Sequence, residues 1–287
     1  VSRPPSLRRE GVRDRESQVA RRSNVRPPSY RWAMSKSYLV LDIETIPDPD
    51  LFECHAAEGA ADRPFPPLYA HRPIVIGALW LDDACQFKRL GLVGEGKNEK
   101  DLLEDFSSFV GRHRPDLITF NGRAFDLPVL LLRSLRHGVQ MPWYYQGRLR
   151  NRYSEEGHVD LCDLLSDHGA ARPISLDAAS RLIGLPGKLG VDGSQVESLF
   201  KAGNLDAIKS YCLADVAQTA LVFLRFRLLQ GVLQPQAFRV AASGLVEALR
   251  ADKRLASFVE ALDCARLLAV NEAESTPGPC LGSRPSS

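Results

Sequence analysis

The sequence predicts an α/β fold, with a mixed sheet flanked by helices and a helical C-terminal part. Three observations carry this expectation. Leu39, Val40 and Leu41 form a continuous apolar run of strand composition, which suits a central strand covered on both faces. Strand-like runs at 73–81 and 85–92 follow, joined by a tight Asp82-Asp83 turn, so the first three strands read as a meander. A further strand at 115–120 is reached through a helical pattern, and beyond it the chain is mostly helical.

The elements are justified in chain order. Pro47-Asp-Pro-Asp is a turn, and the Pro-rich loop that follows has room for a short helix near 50–58. Over 98–113, Leu102, Leu103, Phe106, Phe109 and Val110 recur with helix period. A second helix over 125–137 is entered through Asp126 and Pro128 and closed by Gly138. The stretch 141–158 is irregular, aromatic and basic; it reads equally as a base-stacking surface or an ordinary exposed loop. Short helices are expected at 159–167, 175–183 and 194–201, and the longest at 205–229. Two more, at 235–251 and 255–270, complete the pattern.

Composition narrows the class. The 287 residues suffice for a core that folds unaided, and no run approaches the roughly 18 apolar residues of a membrane span. Six scattered cysteines without a Cys-x-x-Cys pair argue against a zinc site or disulfide framework and for a reducing, cytoplasmic setting. Charge is uneven: residues 1–33 hold nine arginines and three acids, a net of +6, which leaves −4 for the rest.

Chemistry concentrates in three places. Asp42 and Glu44 interrupt the first strand at i and i+2, so both carboxylates point to one face. Two converging carboxylates repel unless a cation sits between them, and oxygen ligands suit magnesium or manganese. The alternative is a strand end running into solvent. Asn121-Gly-Arg-Ala-Phe125-Asp126 falls where the fourth strand ends and the second helix begins, the edge where open α/β sheets bind ligands. Asp126 alternatively caps its helix. Tyr211-x-x-x-Asp215 places a phenol and a carboxylate one turn apart on the long helix; an arginine partner for Asp215 is the structural alternative. Asp160 and Asp163 read as helix-start acids, and His71 and His113 as structural.

Together these motifs, Asp42-Ile-Glu44-Thr45, Asn121-x-x-x-Phe125-Asp126 and Tyr211-x-x-x-Asp215, resemble the DEDD superfamily of 3′–5′ exonucleases in its tyrosine-bearing branch. The chain is similar over about 37–230 to the proofreading exonuclease domain of family B DNA polymerases and its stand-alone bacterial relatives. The resemblance implies a ribonuclease-H-like fold and hydrolysis with two divalent cations, Mg²⁺ or Mn²⁺. By similarity Asp42 bridges both ions, Glu44 and Asp215 hold the nucleophile-side ion, Asp126 holds the other, and Tyr211 orients the attacking water. Thr45 and Ile46 would meet the terminal nucleotide, while Asn121 and Phe125 shape the strand's path. The implied substrate is the 3′ end of single-stranded nucleic acid, DNA favoured over RNA, released as nucleoside 5′-monophosphates. A polymerase or repair partner would act in trans, in proofreading or DNA repair. A non-catalytic nucleic-acid-binding module of the same fold is the alternative.

The expected organisation is a disordered basic leader at 1–33, one domain at 34–270 and a frayed tail at 271–287. Within the domain, 231–270 is a helical extension of the motif-bearing core. The leader reads as a nucleic-acid-binding arm, a transit-type segment, or translation upstream of a start at Met34, and the last is preferred. Deleting residues 1–33 is expected to leave the catalytic rate unchanged; a collapse of turnover in that truncation rules the preference out.

Overall fold

The structure is a computed structural model, and it describes residues 36–52, 65–190 and 193–270. The expected leader and tail, Met34, and most of the short helix expected near 50–58 lie outside the described residues. At the sheet's centre is β1 (Tyr38–Pro47), antiparallel to β2 (His71–Leu81) and parallel to β4 (Asp116–Thr119). Outside these run β3 (Phe87–Leu92), antiparallel to β2, and β5 (His158–Asp160), parallel to β4, in the order β3-β2-β1-β4-β5. This is the expected mixed sheet with a leading meander, an architecture of the ribonuclease-H-like exonuclease type.

The apolar run of β1 is continuous because both faces are covered. Leu39, Leu41 and Ile43 pack with α1 (Glu99–His113) and α2 (Asp126–His137) through Leu103, Phe106 and Leu130. Tyr38 and Val40 pack on the other face against α7 (Leu205–Leu229) and α8 (Pro235–Arg250). Every residue of α7 from Val216 to Leu224 is buried. A helix buried around its whole circumference belongs in the middle of a molecule, and this part of α7 fills that place, between the sheet and α8.

The helix ends follow local chemistry. Asn98 caps α1 by accepting from the Asp101 N–H, and Gly138 closes α2 in the left-handed conformation at φ 68°. Between α2 and α7, the helices α3 (Pro142–Gln146), α4 (Leu161–Leu165), α5 (Leu176–Leu182) and α6 (Val196–Lys201) are short. Arg133 of α2 is buried and ties three segments together. It reaches Asp48 at 2.6 Å, Glu99 at 2.8 Å and the Tyr69 carbonyl at 3.1 Å. Burial alone would raise the Asp48 pKa; Arg133 holds it below its ordinary value.

Three expectations are corrected. The helix expected at 159–167 is preceded by β5, whose three residues are too few to show a strand period. Strand β3 begins at Phe87 rather than 85, because Cys85 sits in a left-handed turn at φ 60°. The helix expected at 255–270 breaks into α9 (Ala256–Glu260) and α10 (Cys264–Leu268). Asp263 explains the break: its side chain caps α10 at the Arg266 N–H, and its own N–H donates to the Gly184 carbonyl.

The close approach of α7 to β2 needs Gly77. A Cβ there would stand 2.8 Å from Cys212 Sγ and 2.9 Å from Val216 Cγ2. Gly77→Val is expected to cost about 1–3 kcal/mol by overpacking, read as a lower urea midpoint. An unchanged midpoint would show that α7 can shift freely.

Candidate active site

Asp42 and Glu44 lie near the carboxyl end of β1, Asp126 opens α2 just past the end of β4, and Asp215 lies on α7. The structure brings these four carboxylates, from three distant pieces of chain, into one electrostatic cluster. Glu44 is 6% exposed and Asp126 5%. Burial first, and then the charges of Asp126, Glu44 and Asp215, push Asp42 well above the usual carboxylate range. Burial, Asp215 and Asp126 do the same to Glu44. Burial lifts Asp126 to about 7 and Asp215 to about 6.

The partners of this cluster are neutral. Tyr211 is in side-chain hydrogen-bond contact with Asp215, and Gln218 Nε2 donates to Asp215 Oδ1 at 3.0 Å. The Cys212 thiol lies 3.6 Å from both the backbone and the side-chain oxygen of Asp42. Among the described residues no arginine or lysine forms a salt bridge with any of the four carboxylates; Lys188 acts on Asp215 only as a neighbouring charge. The arginine partner weighed for Asp215 is therefore replaced by Tyr211 and Gln218. Asp126 gives α2 no side-chain cap; the residue before the helix is Phe125. Ligand atoms of Asp42, Glu44 and Cys212 lie within 4.8 Å of one another. Buried carboxylates that repel one another and lack a cationic partner fit divalent cations, which supply the missing positive charge.

The turn from β4 into α2 is built to aim Asp126. Asn121 adopts a left-handed conformation at φ 67°. A Cβ on Gly122 would stand 2.5 Å from Thr119 Cβ, so only glycine fits. Asp160 holds the turn, accepting from the Asn121 N–H at 2.9 Å and the Arg123 N–H at 2.7 Å. The same carboxylate also caps α4 at the Cys162 N–H, as its helix-start position suggests. Asp163 instead binds Arg152 and His168. Only the capping half of Asp160's work shows in the sequence, since the turn it holds is 39 residues away.

A cavity of about 910 Å³ opens beside the cluster and meets it at Glu44. Thr45, Ile46 and Phe125 line it, with Phe52, Phe65 and Phe200 contributing aromatic walls. Asn121 lies outside its lining, on the exposed turn. His71 also lines it and hydrogen-bonds Thr45 at 2.9 Å, a contact no sequence motif announces.

An acid cluster of this kind at the strand ends of a ribonuclease-H-like sheet defines a nuclease-class α/β protein. The chain belongs to the family described as "Predicted 3'-5' exonuclease related to the exonuclease domain of PolB", which matches residues 63–262. The match starts beyond β1, so Asp42 and Glu44 join the site through the fold. Among curated proteins nothing matches. No helix among the described residues is long and apolar enough to cross a membrane.

The raised carboxyl pKa values set a pH dependence. Between the unfolded carboxylate value of about 4 and the folded values of about 6 and about 7, the folded state holds protons that the unfolded chain has released. This contribution to stability is fully present below the unfolded value and is lost as pH rises through the folded ones. In EDTA, lowering the pH from 7.5 to 5.5 should therefore raise the melting temperature, and Asp215→Asn should flatten that rise. Adding Mn²⁺ at pH 7.5 should restore stability. A melting temperature indifferent to both pH and Mn²⁺ would contradict the electrostatic account of the cluster.

Proposed function

We propose that this exonuclease removes nucleotides from the 3′ end of single-stranded DNA, releasing nucleoside 5′-monophosphates, with two divalent cations held by Asp42, Glu44, Asp126 and Asp215. The observation that supports this most is the convergence of four carboxylates, Glu44 and Asp126 buried and Asp42 and Asp215 half-buried, without a direct cationic partner among the described residues. Membership in the exonuclease family supplies the reaction class and its direction.

Bound magnesium or manganese would supply charge neutralisation at the scissile phosphate and a nucleophile at neutral pH. The remaining work falls to side chains. Asp42, whose carboxylate feels the charge of all three other acids, would serve both ions, with Glu44 and Asp215 as further ligands for one and Asp126 for the other. Burial and the neighbouring acids push the Tyr211 pKa up, so the phenol stays protonated and available to orient an attacking water. The cavity beside Glu44 suits the terminal nucleotide. Thr45 and Ile46 would meet its sugar, and the aromatic walls, Phe125 among them, offer faces on which a base can stack. Asn121, on the exposed turn, would meet the strand upstream. Acids alone repel phosphates, so a purely binding role would leave this cluster without a purpose. Proofreading or repair for a polymerase acting in trans is the setting that this activity fits.

Asp42→Ala and Asp215→Ala should each abolish magnesium-dependent release of mononucleotides from a labelled single strand, with circular dichroism unchanged. Tyr211→Phe should lower kcat by about a hundredfold with little change in Mn²⁺ affinity. Near-normal turnover in either alanine variant overturns the metal assignment. Internal fragments in place of mononucleotides would make the protein an endonuclease, and no digestion at all would favour the accessory module.

A further inference from the structure

Between Tyr145 and Tyr153 the chain carries three arginines and no acid, although the sequence after residue 33 is net negative. Arg148, Arg150 and Arg152 are all exposed, and they are flanked by two exposed rings, Tyr145 at 63% and Tyr153 at 78%. The arginines differ in what holds them. Arg152 is committed, binding Asp163 at 3.0 Å and the His168 carbonyl at 3.2 Å. Arg148 pairs with Glu156, but both side chains face solvent, and an ion pair of that kind contributes little. Arg150 forms no ion pair among the described residues; its guanidinium lies 5.4 Å from the centre of the Tyr145 ring. Two arginines are thus free to take another anion.

This segment is fastened to the turn that presents Asp126. Arg123 belongs to that turn, and its backbone N–H is one of the two that Asp160 holds, at 2.7 Å. Its guanidinium reaches the other way, donating to the Leu149 carbonyl at 3.0 Å and the His158 carbonyl at 2.9 Å. Leu149 itself is buried with the residues of α1 and α2, so it anchors the chain between the two exposed arginines on either side of it. The Tyr153 ring rests against His168, with 4.9 Å between centroids. The basic surface and the acid-bearing turn are therefore fixed to one another.

We propose that residues 145–153 form a docking surface for the single strand behind its 3′ end, with Arg148 and Arg150 taking phosphates and Tyr145 and Tyr153 taking base faces. The inference deepens the exonuclease reading above and rests on it for the direction of the strand. An acid cluster repels phosphates, so a strand led to it gains from positive charge at a fixed distance. An acidic protein would match the arginines but leave the two rings without a role. A single strand offers phosphates and flat base faces in alternation, which is what a surface of interleaved arginines and tyrosines can use.

The test uses the full chain in calcium and measures fluorescence anisotropy across a salt series. The probes are single-stranded DNA oligonucleotides of about 4 and about 16 nucleotides, labelled at the 5′ end, which bracket the usual site sizes of single-strand surfaces. The long strand should bind at least about tenfold tighter than the short one. Arg148→Ala/Arg150→Ala should remove most of that preference and make the slope of log affinity against log salt shallower by about 1.4, the value for two lost phosphate contacts on a single strand. Arg148→Lys/Arg150→Lys should keep the slope, since a point charge serves a phosphate. Tyr153→Ala should weaken the long strand at least about fivefold without altering the slope. An unchanged preference and slope in the alanine pair overturns the proposal, and so does a loss equal for short and long strands. Mononucleotide release in magnesium is scored on the wild-type chain. Its absence with the length and salt effects intact sinks the exonuclease reading; its presence with those effects missing sinks this inference alone.

Discussion

How closely α7 can approach the sheet is the constraint on which the rest of the structure depends. Two of the motif side chains, Tyr211 and Asp215, ride on that helix, and the two β1 acids belong to the sheet's central strand. They meet because β2 carries a glycine where α7 crosses it, with Cys212 and Val216 filling the space a side chain would need. From Val216 to Leu224 the helix is buried on every side, and the polar Gln218 within that stretch is turned to Asp215. Packing of an unusually apolar helix against one missing Cβ thus sets the geometry of a strongly polar site.

The site works against the fold's own preferences. In a poorly solvated place, burial and the neighbouring carboxylates push Asp42 and Glu44 up, burial lifts Asp126 and Asp215, and nothing cationic among the described residues relieves them by a direct ion pair. The surrounding structure must hold them together by other means. The buried Arg133, which ties Asp48 past the end of β1 to Glu99 at the start of α1 and to the Tyr69 carbonyl, is one such brace. There the charges are opposite and burial is compensated; at the acid cluster they are alike, with no direct ion pair among the described residues to compensate them.

The elements around the cluster are similarly determined at a distance. Asp160 caps its own helix and also clamps the Asn121 turn from which Asp126 is presented. His71, remote from the acids in sequence, hydrogen-bonds Thr45 at 2.9 Å and lies 3.0 Å from the Pro66 carbonyl oxygen. Neither function can be carried by the residue alone; each exists only because a second piece of chain arrives at hydrogen-bonding distance.

The sequence by itself determined the periodic parts. The apolar run of β1, the helical periods of α1, α2 and α7, and the i, i+2 and i, i+4 spacing of the acids are local properties, and local sterics suffice to express them. It was silent on β5, whose three residues form a strand only because β4 lies alongside, and it ran α9 and α10 together because the capping of Asp263 is invisible to an apolar pattern. It also left open whether Asp215 would meet an arginine and whether Asp126 would cap its helix. Those were decided by tertiary structure, since charge, burial and hydrogen-bond direction depend on neighbours that only folding brings within a few ångströms.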